Sequence, residues 1–81
     1  MRGYESMDVE WVDGFEIRVD VRDGAAVIFA NREGLLSLSA QLAALAEKKP
    51  GFHLHYDENN SLEDGSAELI IGKAADPEKK S

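Results

Sequence analysis

From Phe15 to Arg22 the run FEIRVDVR alternates apolar and polar side chains, with Phe15, Ile17, Val19 and Val21 on one face and Glu16, Arg18, Asp20 and Arg22 on the other. A period of two marks a strand that buries one face and wets the other. Asp23-Gly24 follows, a pair that tolerates the positive φ angles of a tight turn, and AAVIFA comes directly after it with β-branched and aromatic residues. The stretch therefore reads as a β-hairpin, and whatever else the chain forms must cover that hairpin's apolar face.

The period then changes. Asn31 stands at an N-cap position, where its side-chain oxygen can satisfy a free amide at the start of REGLLSLSAQLAALAEKK. At 100° per residue Leu35, Leu38, Leu42, Leu45 and Ala46 form one stripe. Leu36 and Ala43 widen it, and Gln41, Glu47 and Lys48 fall outside it. Lys48 and Lys49 suit the negative end of the helix dipole, and Pro50-Gly51 ends the segment. FHLHYD alternates again, placing Phe52, Leu54 and Tyr56 opposite His53, His55 and Asp57. The polar stretch ENNSLEDGS is a loop, and AELIIG is a last strand with Leu69 and Ile71 opposite Glu68 and Ile70. The expected fold is α+β in the order ββαββ: a two-layer sandwich with a four-stranded antiparallel sheet and one helix packed on one face. At 81 residues the chain is a single domain, 1–81, with structure expected over about residues 9–73 and loose termini on either side.

Charge and cysteine usage narrow the function classes. Nine Lys and Arg stand against 16 Asp and Glu, a net charge of −7, so nucleic acid and anionic membranes are disfavoured and a basic protein is the expected macromolecular partner. Cysteine is absent, which removes disulfides, thiolate metal sites and a Cys nucleophile and suits a cytoplasmic setting. No apolar run reaches the roughly 18–20 residues of a membrane span, and MRGYESMDVEW lacks the apolar core of a signal peptide. The serines lie in no nucleophile-elbow context and no phosphate-binding or dinucleotide fingerprint occurs, so no enzymatic activity and no cofactor are expected.

Three features remain as candidates. His53, His55 and Asp57 recur at every second position of one strand, about 7 Å apart, a spacing that can present imidazole and carboxylate ligands to a metal. A further ligand would have to converge from elsewhere, and Glu58 or Glu68 are the carboxylates at hand. The alternative function on this basis is a small homodimeric domain that binds a metal or small ligand through His53, His55 and Asp57. The second feature is an uneven charge distribution. Seven acids lie between Glu5 and Asp23 against only Arg18 and Arg22, and Asp57, Glu58, Glu63, Asp64 and Glu68 have no base among them. Clustered acids steer a basic partner. The third is a set of large side chains, Tyr4, Trp11, Val27, Phe29 and Ile70, that a one-layer core need not absorb and that can form an interface.

Taken in order, the strings ANREGLLSL, QLAALA, HLHYD, LEDGS and ELIIGK resemble the immunity protein 32 family of bacterial polymorphic toxin systems, over about residues 15–73. The resemblance implies a small cytoplasmic α+β protein encoded beside a secreted toxin, which protects its producer by binding that toxin. It implies no catalytic residues, and Trp11 lies outside the matched stretch. The expected function is non-enzymatic inhibition by electrostatic and steric occlusion, with Trp11, Asp20, His53, His55, Asp57, Glu58, Glu63, Asp64 and Glu68 as the partner-binding residues.

Overall fold

A computed structural model describes residues 5–6 and 9–75. Tyr4 lies outside the described residues. The elements are β1 (Glu5–Ser6), β2 (Ile17–Arg22), β3 (Ala25–Ala30), α1 (Arg32–Ala46), β4 (Phe52–Tyr56) and β5 (Leu69–Gly72). The hairpin forms as its turn chemistry requires. Asp23 and Gly24 both take positive φ, 51° and 81°, and β2 pairs antiparallel with β3 from Ile17↔Ala30 to Arg22↔Ala25.

The strands do not make one four-stranded sheet. β2 and β3 form one sheet and β4 and β5, paired antiparallel from His53↔Gly72 to Tyr56↔Leu69, belong to another. β1, ahead of the stretch in which structure was expected, adds a parallel rung to the outer edge of β4. The reason lies in what occupies the free edge of β2. Instead of a strand, the loop before β5 docks there: Glu63 N–H donates to the Ile17 carbonyl (2.9 Å) and Ala67 N–H to that of Val19 (2.7 Å). The Val19 amide donates in turn to Ser66 Oγ (3.1 Å). The outward main-chain groups of β2 are thus satisfied by an irregular segment, and β4 has β5 on one edge and β1 on the other.

Helix α1 starts as expected. Asn31 Oδ1 accepts from Gly34 N–H (2.8 Å) and from Glu16 N–H (3.0 Å), so one side chain caps the helix and ties it to the residue before β2. Gly34 lets the helix press close: a Cβ there would stand 2.6 Å from the Glu16 carbonyl oxygen. The helix ends at Ala46, and the cation at its C-terminus is Lys73, whose Nζ donates to the Ala46 carbonyl (2.7 Å), while Lys48 lies over the Phe52 ring.

The buried face of α1 differs from the expected leucine stripe. Gly34, Ser37, Leu38, Gln41 and Leu45 face inward, whereas Leu35, Leu36 and Leu42 are 55%, 44% and 42% exposed. Residues 9–15 explain the rotation. This segment packs beside the helix and brings main-chain polar groups with it, and these need polar partners inside. Val12 N–H donates to Ser37 Oγ (2.8 Å), and Gln41 Nε2 donates to the Glu10 carbonyl (2.8 Å) while its Oε1 accepts from the Tyr56 hydroxyl (2.8 Å). The core then gathers Ile17, Val19, Leu38, Leu45, Leu54, Tyr56 and Leu62, with Trp11 stacked on Phe15 at its margin. Among the described residues no buried side-chain nitrogen or oxygen lacks a partner.

Candidate functional site

The acids that follow β4 are carried by a loop with a tightly determined shape. Asp57 begins it: Oδ1 accepts from the amides of Asn59 (2.9 Å) and Asn60 (3.0 Å), and its carbonyl accepts from Asn60, Ser61 and Leu62. Asn60 returns Nδ2 to the His55 carbonyl (3.0 Å). At the far side Gly65, at φ 87°, gives its amide to the Glu58 carboxylate (2.6 Å). Arg18 reaches across from β2 to the Asp64 carbonyl (3.0 Å). Buried Leu62 anchors the middle of the loop in the core. The result is an ordered acidic rim in which Glu58, Glu63, Asp64 and Glu68 are exposed and Asp57 is half-buried.

Beside this rim, the β4–β5 register brings side chains together across the strands. The last pair, Tyr56↔Leu69, leaves Asp57 and Glu68 as the next neighbours, on the same face as His55. His55 Nε2 is hydrogen-bonded to Glu68 Oε2 and lies 3.6 Å from Asp57 Oδ2. One donor atom from each of His55, Asp57 and Glu68 can be chosen so that all three lie within 4.8 Å of one another.

Other residues expected at the surface are placed differently. His53 shares a strand face with His55, at 6.4 Å between ring centroids, but it is only 4% exposed, so it is not offered to a partner. Trp11 is half-buried against Phe15 and, edge-on, Tyr56. Asp20 is flanked by both arginines of its strand, Arg18 at 3.3 Å and Arg22 at 2.9 Å, which offset its charge. Of the large apolar residues, Phe29 and Ile70 are more than half exposed and Val27 is half-buried. Arg18 was not among the expected site residues. Its link to Asp64 spans 46 positions in the chain, and no local pattern announces it.

A small α+β protein with an acidic, ordered loop on one side is the class these features define. No helix among the described residues is long and apolar enough to cross a membrane. The family model for immunity protein 32 matches residues 26–74, from β3 through β5, and the chain belongs to that family. Membership implies toxin neutralisation and hence a cognate toxin partner; immunity proteins of this kind are typically non-enzymatic inhibitors. No curated protein and no solved structure matches the chain.

Proposed function

We propose that the chain neutralises its cognate toxin without catalysis, by seating the acidic rim of residues 57–68 over a basic site on the toxin and closing that site to its substrate. The observation that carries this reading is the composition and order of the rim: five carboxylates and no Lys or Arg, in a loop whose backbone is held at Ile17, Val19 and Arg18. A rigid array of one sign accelerates encounter with an oppositely charged surface and loses little conformational freedom on docking. Within the rim the roles divide. Asp57, Glu58 and Glu68 spend part of their carboxylate on internal hydrogen bonds, whereas Glu63 and Asp64 contribute main-chain groups to the scaffold and leave their side chains at the surface. Those two are the principal contact residues of this proposal, with Asp57, Glu58 and Glu68 extending the field.

The reading is tested by expressing the toxin domain encoded beside this chain, in the producer's cytoplasm, with and without it. Growth restored by the unaltered chain and lost with Glu63→Lys and Asp64→Lys combined, at equal protein level, is the expected result. Toxicity that persists with the unaltered chain present overturns the proposal, and full protection by the doubly reversed variant overturns its electrostatic part.

A further inference from the structure

The structure assigns a second property to the open end of the β4–β5 pair, where two acids of the rim lie beside His55: we propose that His55, Asp57 and Glu68 form a zinc site. The ligand set differs from the one that period two suggests. His53 and His55 alternate correctly, yet His53 is buried, and the third ligand is Glu68, the residue that leads into β5. His55 Nε2, Asp57 Oδ2 and Glu68 Oε2 converge from one strand face.

Three properties support zinc here. One imidazole nitrogen with two carboxylate oxygens is a donor set that borderline divalent ions accept, with a fourth position left to water. With zinc bonds of about 2.0–2.2 Å, tetrahedral donor atoms stand roughly 3.4 Å apart, and His55 Nε2 is 3.6 Å from Asp57 Oδ2. Asp57 is also pre-aimed: its Oδ1 is held by the Asn59 and Asn60 amides, which leaves Oδ2 as the oxygen turned to His55. Glu68 is more than half exposed and can adjust its position. In the metal-free protein His55 and Glu68 satisfy each other; zinc takes the place of the hydrogen shared between them, a neutral imidazole then carrying its one N–H on Nδ1 with no net loss and a protonated pair giving up one proton to solvent.

Titration of the full chain with zinc chloride, followed by calorimetry and by the ring-proton resonances of both histidines, tests the site. We expect saturable one-to-one binding with a dissociation constant on the order of micromolar and a shift of the His55 ring signals that exceeds that of His53. His55→Ala and Glu68→Gln should each weaken binding by about tenfold or more, and His53→Gln should leave it within about twofold. Absence of saturation by about 100 µM zinc, or undiminished affinity in a folded His55→Ala variant, overturns the site. So does an equal loss in His53→Gln, or a His53 shift as large as that of His55. The ring resonances of the unaltered chain decide the matter even if a variant fails to fold.

Discussion

Tyr56 shows how one side chain can tie the interior together. It is 1% exposed, its ring meets the edge of Trp11, and its hydroxyl donates to Gln41 Oε1. Burial pushes its phenol up from 10.0 to about 12, because the phenolate would have to form away from water. The proton is held more tightly in the folded state, so the associated stability is fully present below pH 10 and is lost as pH rises through about 12. That differential corresponds to roughly 2–3 kcal/mol across the window. A spectroscopic phenol titration should show one of the two tyrosines ionising late, either near 12 or together with unfolding, and Tyr56→Phe should remove that late phase. Ionisation of both phenols near 10 with the fold intact would contradict it. At this scale much was legible in advance. Asn31 as N-cap and Asp23-Gly24 as a turn are local chemistry, and both are observed. Glu68 as the further carboxylate beside His55 was one of two options, the other being Glu58, which lies closer in sequence. Only the register of β4 on β5 separates them, and it leaves Glu58 to hold Gly65.

At the scale of elements, the order of the two hairpin strands, the helix and the last two strands follows from hydrophobic period and turn residues, and each of these elements is present. What the period could not supply was the phase of the helix. An amphipathic stripe predicts burial only when the neighbours are wholly apolar; here residues 9–15 bring the Glu10 carbonyl and Val12 amide against α1, and Ser37 and Gln41 turn inward to meet them. Two truncations measure this rotation. Leu45→Ala removes a buried side chain and should cost about 2–5 kcal/mol in chemical denaturation. Leu42→Ala, on the exposed flank, should cost less than about 1 kcal/mol. Equal losses at the two positions would mean that the leucine stripe, not the polar face, lies inside. The sheet arrangement was illegible for a related reason: the groups that complete β2 are loop amides and the Ser66 hydroxyl, which carry no alternating pattern.

Across the whole molecule, one part of the acidic surplus becomes a located feature. Asp20 is offset by its flanking arginines and the helix is uncharged from Gly34 to Ala46, while the loop after β4 holds five acids with no base. The resemblance read from short strings along residues 15–73 agrees with the immunity protein 32 match over residues 26–74. The central claim is that toxin recognition runs through this rim, and association kinetics test it most directly. With the purified cognate toxin domain, the unaltered chain should form a one-to-one complex whose on-rate falls steeply as salt rises. Glu63→Lys with Asp64→Lys should lower the low-salt on-rate by about tenfold or more and flatten that salt dependence. An on-rate at low salt equal to that of the unaltered chain would contradict recognition through the acidic rim.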